Sequence, residues 1–443
     1  MNTPICDFVS EYIKKNTIRL HMPGHKGKGN LSVENRDITE IKGADSLFEA
    51  DSVIKESEDN ASALFGCPTY YSAEGSSLCI RAMVYLVSLY AKAKGKAPLM
   101  LAARNVHKTF ISAVALCDMD VEWMCGGNSY LSCSISADEL DSKLSQMATK
   151  PAAFYITSPD YLGNIADIKA LSQVCKKHDV LLLVDNAHGA YLKFSGDVQH
   201  PVDLGADLCC DSAHKTLPVL TGGAYLHINK DAQALFCDKV KFAMSLFAST
   251  SPSYLIMQSL DLANKYIADG YKEKLADFVL KVAKIKAKLT DNGYTFVGDE
   301  ILKITVSTKP YGYLGDNFAE ILRGKNIECE FSDPDFVVFM LTPESADDVD
   351  KLCGAMLEIE KKPAIYEEPP QILPLKKAMS IHDAIFSNAE NVSIKDSIGR
   401  VCASTSVSCP PAVPIVVCGE VIDQSAVKCF EYYSIDKCAV VKV

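Results

Sequence analysis

Val180-Leu181-Leu182-Leu183-Val184-Asp185 is the stretch that decides the fold of this chain. It begins with a short apolar run without polar interruption, which is typical of a strand buried on both faces of a parallel sheet. A strand-like segment at 152–157 and a helical one at 165–178 come before it. Similar pairs begin at residue 98, with a strand-like segment at 98–103 and a helical one at 106–117. Strands that alternate with helices in this way predict an α/β fold with a mostly parallel sheet.

A second apolar run, at 206–210, leads into Ser212-Ala213-His214-Lys215. Ligands bind beyond the carboxyl ends of strands in open α/β sheets, so we expect Asp185 and Lys215 at one edge. A lysine amine can form a Schiff base with an aldehyde, and a carboxylate can keep a ring nitrogen protonated. The pair therefore matches the needs of pyridoxal phosphate (PLP). Taken singly, Asp185 could equally cap a turn, and most lysines are solvated on the surface.

Two further features would suit a phosphorylated ring. Gly75-Ser76-Ser77 leads into a predicted helix, where backbone N–H groups, hydroxyls and the helix dipole favour a phosphate. A serine N-cap is the commoner interpretation of such a tripeptide. His107 follows a predicted strand, and its imidazole either stacks on an aromatic ring or faces water at the start of a helix.

No metal site is predicted. His21 and His25 have the i,i+4 spacing of helical metal ligands, but Pro23-Gly24 between them breaks the helix that this spacing needs. The 17 cysteines are scattered, and none of them forms a Cys-x-x-Cys pair. An odd number of cysteines in a chain of this size fits a reducing compartment better than a disulfide framework.

The bulk composition excludes several classes of protein. The chain has 443 residues with 48% hydrophobic and 23% charged residues, which suffices for a sizeable core. A net charge of −11 argues against a nucleic-acid partner. The N-terminus lacks the basic and apolar segments of a signal peptide, and no apolar run approaches the ~18 residues of a membrane span. We therefore expect a cytoplasmic protein without a membrane partner.

The pattern along the chain predicts four segments. Residues 1–60 form an N-terminal arm, and residues 61–268 form the large domain with the alternating strands and helices. Residues 269–362 form a smaller α+β domain. A proline-rich linker at 363–374 leads into a C-terminal subdomain at 371–443, which has short β-branched runs.

These motifs carry a family resemblance. The chain resembles the PLP-dependent ornithine/lysine/arginine decarboxylases of bacterial type, in the short form found in Gram-positive bacteria. The resemblance covers nearly the whole chain in the same order. It is carried by the motifs His21-Met22-Pro23-Gly24-His25-Lys26-Gly27, Asp37-Ile38-Thr39-Glu40, Gly75-Ser76-Ser77, Arg104-Asn105-Val106-His107-Lys108, Val184-Asp185-Asn186-Ala187-His188-Gly189, Ser212-Ala213-His214-Lys215, Ser249-Thr250-Ser251-Pro252, Asp383-Ala384-Ile385-Phe386, Gly399-Arg400, Pro410-Pro411-Ala412-Val413-Pro414-Ile415 and Gly419-Glu420.

The resemblance implies a fold-type I PLP enzyme with the aspartate aminotransferase-like architecture. It implies a homodimer or higher homo-oligomer with active sites at the subunit interface. It also implies that Lys215 holds PLP, that Asp185 pairs with the pyridinium nitrogen and that His107 stacks on the ring. The other positions implied around the cofactor are Ala187 under the ring, His188 beside it, Ser76, Ser77, Ser212 and His214 around the phosphate, and Thr250 or Ser251 reaching the phosphate from the partner subunit.

The chain departs from the family pattern at several places. Gly75-Ser76-Ser77-Leu78 offers one possible phosphate donor fewer than relatives do, and Glu74 stands where an uncharged residue is usual. Thr221-Gly222-Gly223-Ala224 replaces a polar segment, and the proline expected after Asp45-Ser46-Leu47 is missing. Because the resemblance is to the short form, we expect no wing domain of the kind that the long enzymes carry. These changes spare the cofactor residues but affect places that could set the substrate.

The expected activity is PLP-dependent decarboxylation of a basic amino acid to CO2 and a polyamine-precursor amine. Arginine and lysine are the first candidates for the substrate, and ornithine is the third. His214 and Lys215 are both candidates for the proton donor to Cα. Two other functions stay open, namely a PLP-dependent aminotransferase or lyase acting on another amino acid and a non-catalytic PLP-binding homologue. An intact set of Lys215, Asp185 and His107 argues against the last.

Overall fold

The computed structural model describes residues 1–126, 134–197, 199–371, 373–408 and 413–442. The chain divides into two compact units, one formed by residues 1–94 and 181–274 and the other by residues 95–180 and 275–443. The four segments expected from the sequence follow other boundaries, and that division stays a prediction. Pro410-Pro411-Ala412 of the C-terminal motif lies outside the described residues.

The helices of the described residues are, in chain order, α1 (Pro4–Lys14), α2 (Val53–Phe65), α3 (Gly75–Lys94), α4 (Lys108–Leu116), α5 (Ala137–Gln146), α6 (Ile168–Lys177), α7 (Ala213–Thr216), α8 (Gln233–Phe236), α9 (Val240–Ser245), α10 (Tyr254–Ala268), α11 (Tyr271–Asp291), α12 (Gly315–Arg323), α13 (Ala346–Leu357), α14 (Ile381–Phe386) and α15 (Gln424–Tyr432). The strands are β1 (Thr69–Ser72), β2 (Leu99–Ala103), β3 (Asp120–Met124), β4 (Ala153–Thr157), β5 (Leu181–Asp185), β6 (Leu208–Asp211), β7 (Ala224–Ile228), β8 (Thr295–Val297), β9 (Lys303–Ser307), β10 (Phe331–Ser332), β11 (Phe336–Met340), β12 (Ala389–Ser393), β13 (Ser406–Ser408), β14 (Pro414–Val417) and β15 (Lys437–Val441). Among these described helices, none combines the length and the apolar character that crossing a bilayer requires.

The first unit contains four neighbouring strands in the order β1-β7-β6-β5. Strands β5 and β6 are parallel, with Leu183 opposite Leu208 and Asp185 opposite Cys210. Strand β7 runs antiparallel to both β6 and β1. Every residue of β5 is buried, as expected for the apolar run that ends in Asp185. Helix α3 packs on β6 and β7 and so covers one face of these strands.

The second unit begins with three strands in the order β4-β2-β3, all of them parallel. Helices α4, α5 and α6 connect or follow these strands, so the predicted alternation and the predicted α/β class are confirmed. Helix α6 begins three residues later than the expected start at 165, because the Asp167 side chain accepts from Ala170 N at 3.0 Å and caps the helix there.

The rest of the second unit holds two further groups of strands. An antiparallel sheet has the order β10-β11-β9-β8, and α12 lies between its strands in sequence, which is the α+β pattern expected for this region. The C-terminal part has two antiparallel pairs, β12 with β15 and β13 with β14. Helix α15 contributes Val427 and Phe430 to an apolar cluster that includes Ile415 and Val440.

Candidate active site

Asp185 and Lys215 leave two neighbouring strands at the same end. Asp185 is the last residue of β5, and its partner Cys210 lies in β6, which leads directly into the short helix α7 with Lys215. The side chain of Asp185 is 2% exposed. Its Oδ1 accepts from Ala187 N at 3.2 Å and from the Cys210 thiol at 3.6 Å. The first unit therefore brings the amine and the carboxylate to one edge of the sheet.

The amine of Lys215 is in contact with an imidazole. Its Nζ lies 2.9 Å from Nε2 of His188, which is buried in the loop that follows Asp185. Lys215 itself is half-buried. Because an ammonium group only donates, the imidazole Nε2 accepts this hydrogen bond when Lys215 is protonated.

Hydroxyl groups gather at the N-terminus of α3. Ser212 Oγ donates to Ser76 Oγ at 2.8 Å, and Ser77 follows in the first turn of the same helix. Gly75 N donates to Gly222 O at 2.6 Å, and a Cβ added to Gly75 would meet no atom within 4 Å. The helix end thus borders open space with hydroxyls and backbone N–H groups, which is a suitable environment for an anion.

His214 is held by the glycine pair that departs from the family pattern. Its Nδ1 donates to the Gly223 carbonyl at 2.9 Å. Burial lowers the pKa of His214 below its ordinary value, while the bond to Gly223 opposes this and the charge of Lys215 adds to it. Because a carbonyl only accepts, the neutral ring carries its hydrogen on Nδ1 and Nε2 is an acceptor. Gly222 and Gly223 therefore contribute to the site through their backbone carbonyls, which contact Gly75 and His214. The sequence pattern, which compares side chains, does not show these contacts.

Glu74 has a structural partner that the sequence pattern did not show. Its Oε1 accepts from Ser249 N at 2.7 Å. The segment with Ser249, Thr250 and Ser251 is exposed, and this bond ties it to the residue just before α3 in the same chain. The unusual carboxylate therefore anchors a segment that was expected near the phosphate.

His107 belongs to the second unit, where it caps α4. Its Nδ1 accepts from Thr109 N at 3.2 Å, and the same nitrogen is 2.9 Å from the Thr109 hydroxyl. The residue is exposed. This is the helix-start position that the sequence offered as one alternative, and the cap holds the ring in a defined orientation.

Two of the motifs, far apart in sequence, meet in the second unit. Arg104 donates from Nη1 and Nη2 to the two carboxylate oxygens of Glu420, each at 2.7 Å. The Arg104 guanidinium also lies 5.1 Å from the centre of the Trp123 ring. The pairing fixes the residue three positions before His107, and no local pattern in the sequence could have indicated it.

The donor set of the first unit fits PLP. PLP has an aldehyde, a ring nitrogen and a phosphate, which match the Lys215 amine, the buried Asp185 carboxylate and the hydroxyls at the N-terminus of α3. Ala187, two residues after this carboxylate, is also buried. The individual roles of these residues stay a prediction.

Comparisons with known proteins agree with this fit. The family model of the Orn/Lys/Arg decarboxylase major domain matches residues 3–310, and the model of the C-terminal domain of the same family matches residues 361–439. An arginine decarboxylase of Bacillus subtilis is 28% identical over 95% of this chain and 91% of its own length.

The solved structures show the same fold. Lysine decarboxylase A from Pseudomonas aeruginosa superposes with a TM-score of 0.78 at 16% identity, covering 99% of this chain and 80% of the other. An alanine–glyoxylate aminotransferase from Nostoc sp. superposes with a TM-score of 0.55 at 17% identity, covering 69% and 85%. The fold is that of the fold-type I PLP-dependent enzymes. The chain belongs to the Orn/Lys/Arg decarboxylase family and is a PLP-dependent decarboxylase.

Proposed function

We propose that this chain decarboxylates a basic amino acid to CO2 and an amine that serves as a polyamine precursor. Arginine and lysine are the first candidates for the substrate, and ornithine is the third. The observation that carries the proposal is that Asp185 ends β5 and Lys215 follows the parallel neighbour β6, where the Ser76–Ser212 hydrogen bond also lies. The names of the relatives support arginine or lysine.

We assign the cofactor contacts residue by residue, as the family resemblance implies them. Lys215 would hold PLP through Nζ, and Asp185 would face the ring nitrogen. Bound PLP supplies an electron sink for the carbanion left by loss of CO2. The remaining contacts are assigned to His107 and Ala187 on the ring, His188 beside it, and Ser76, Ser77, Ser212, His214 and Thr250 at the phosphate.

The hydrogen bonds assign proton roles to two histidines. His188 Nε2 lies 2.9 Å from Lys215 Nζ, so it can accept the proton that the amine must lose to become a nucleophile. His214 is a poor proton donor near neutral pH, because burial lowers its pKa and so disfavours the protonated ring, and because the Nδ1 hydrogen of the neutral ring is engaged by Gly223. Of the two candidates for protonating Cα, we therefore favour Lys215.

We further propose a homodimer or higher homo-oligomer. The first unit exposes large apolar side chains that a partner subunit could cover. They include Ile18 at 83%, Leu20 at 90%, Leu31 at 78% and Phe242 at 57% exposure. Sedimentation equilibrium of the purified protein measures the assembly, and a monomer at micromolar concentration contradicts this part of the proposal. The cytoplasmic location stays a prediction.

Product analysis tests the activity. Purified protein loaded with PLP is incubated with arginine, lysine or ornithine, and the released CO2 and the amine are quantified. We expect one of the three substrates to give equal amounts of both products. Lys215→Ala should abolish the reaction and the covalent attachment of PLP to the protein by borohydride reduction. Lys230→Ala, at an exposed lysine of the same unit, should change neither the reaction nor the attachment.

Two results contradict the proposal. Formation of a keto acid with conversion of PLP to its amine form indicates an aminotransferase. Retention of PLP through Lys215 without turnover of any of the three amino acids indicates a non-catalytic PLP-binding protein.

A further inference from the structure

Asp211 is a fully buried carboxylate that the sequence pattern did not single out. It ends β6, directly before the turn with Ser212 and Lys215. Its Oδ2 accepts from Nε2 of His200 and from Nε2 of His227, each at 3.1 Å. Its Oδ1 accepts from Asn186 Nδ2 at 2.7 Å. Three N–H donors thus converge on one carboxylate inside the first unit.

The bond to Asn186 connects Asp211 with the loop after β5. Asn186 follows Asp185, and its backbone N also donates to Cys210 O at 3.0 Å. Its carbonyl accepts from Gly189 N at 2.8 Å, which closes the loop that carries His188. Asp211 therefore joins the segment with Asp185 and His188 to the turn with Lys215.

The two histidines make this anchor rigid. His227 lies opposite Cys209 in the neighbouring strand β7, and its Nδ1 is 2.9 Å from the Thr69 hydroxyl of β1. The Phe65 ring of α2 packs with its centre 4.5 Å from that of His227 and 5.7 Å from that of His200. The carboxylate is thus connected to strands β1, β6 and β7, and both of its histidine partners pack against an aromatic ring.

The charge of Asp211 is stabilised by its donors. Burial opposes ionisation, but the two histidines outweigh it and hold the pKa of Asp211 well below its usual range. Burial also lowers the pKa of His227, and Asp211 opposes this shift. A neutral side chain at position 211 would leave buried donors of three residues without their charged acceptor.

We propose that Asp211 is a positioning residue for the cofactor site. It aligns Asp185 and His188 with Lys215 Nζ by holding the Asn186 side chain against the end of β6. This inference rests on the proposed function of Lys215 and Asp185. It assigns no direct contact between Asp211 and the cofactor.

The test compares two buried carboxylates of the same unit. Asp211→Asn keeps the shape of the side chain and removes its charge. Asp261→Asn does the same at another fully buried carboxylate, which accepts from Ser57 Oγ at 2.6 Å and from Cys6 N at 3.0 Å. Asn186→Ala is a milder second variant, which removes the side chain between Asp211 and the loop after β5.

The readouts are the rate of PLP release from the holoenzyme and the pH midpoint of the absorbance of bound PLP. We expect Asp211→Asn to release PLP roughly tenfold faster, equivalent to about 1.4 kcal/mol, and to shift the pH midpoint. Asn186→Ala should change both in the same direction by a smaller amount. Asp261→Asn, which neutralises a buried carboxylate that contacts Ser57 and Cys6, should leave both cofactor readouts unchanged.

Three outcomes overturn the proposal. The first is that Asp211→Asn and Asn186→Ala release PLP at the rate of the parent protein and show the same pH midpoint as the parent protein. The second is an equal change in Asp261→Asn, which would mean that neutralising a buried carboxylate elsewhere in the unit loosens the cofactor just as much. The third is stoichiometric zinc in the purified protein, since His200, Cys209 and Asp211 offer ligand atoms within 4.8 Å of one another. These readouts need no substrate, so failure to decarboxylate any amino acid leaves the comparison valid.

Discussion

Replacement of Glu420 by Gln tests how the second unit holds the loop before His107. Arg104 and Glu420 form two parallel hydrogen bonds of 2.7 Å, and both side chains are 7% exposed. Glu420→Gln preserves the length of the side chain and removes its charge. The Arg104 guanidinium then stays buried without a counter-charge.

The expected loss follows from this burial. Removing one partner of a buried ion pair costs about 3–5 kcal/mol. Arg104 keeps a hydrogen bond to Pro414 O at 3.2 Å and one to Ile415 O at 3.4 Å, so we expect the lower end, about 3 kcal/mol. The pair between Lys377 and Asp120 has side chains 47% and 51% exposed, and breaking it by Asp120→Asn should cost no more than about 1 kcal/mol.

Trp123 provides the assay. It is the single tryptophan of the chain, and its ring lies 5.1 Å from the Arg104 guanidinium. Its fluorescence in urea reports the unfolding of this region. The double variant Arg104→Met with Glu420→Leu removes both charges and should lie closer to the parent protein than Glu420→Gln does. A midpoint for Glu420→Gln equal to that of Asp120→Asn would refute the reasoning, and so would a double variant less stable than the single one.

Three further predictions concern stability. Burial raises the pKa of Asp333 to about 7. This value exceeds the pKa of about 3.9 in the unfolded chain. The protonated Asp333 therefore contributes to the free energy of unfolding fully below pH 3.9, and this contribution is lost as the pH rises to 7. Asp333→Asn should therefore gain up to about 4 kcal/mol relative to the parent between pH 4 and 8 in urea titrations, and a constant difference contradicts this. Gly298 has a φ of +79°, and a Cβ there would clash with the Leu162 carbonyl. Gly298→Ala should lower the thermal midpoint. Gly354 lies in α13 with open space around it, so Gly354→Ala should raise the thermal midpoint and add about 1 kcal/mol to the free energy of unfolding. The opposite order of the two midpoints would contradict this reasoning. Ser136→Ala removes the capping box with Glu139 and should cost about 1 kcal/mol in the same measurement, so an unchanged midpoint contradicts the cap.

The elements that the sequence predicted well are those with strong local patterns. The run at 180–184 is the buried strand β5, and the short β-branched run at 414–417 is β14. The helix expected at 106–117 begins only at Lys108, because the His107 side chain caps it by accepting from Thr109 N. Helix starts depend on one hydrogen bond of a side chain, which periodicity does not show.

The sequence pointed to the residues of the candidate site to different degrees, and their roles stay a prediction. Asp185, Lys215 and the Ser76–Ser77 pair were placed by strand ends and by a glycine turn, which are local signals. Glu74 was noticed as a departure, but its bond to Ser249 depends on a chain segment 175 residues away. A contact between residues this far apart in the chain depends on the tertiary structure, and no local pattern in the sequence predicts it.

The sequence by itself determined the alternation of buried strands and helices, the order of the cofactor motifs and the family. The tertiary structure alone decided which polar side chains meet. Asp211 contacts His200, 11 residues before it, and His227, 16 residues after it, and Arg104 pairs with Glu420, 316 residues away. The physical reason is that burial patterns repeat with the period of a strand or helix, whereas a hydrogen bond between distant side chains depends on strand register and on which elements pack together.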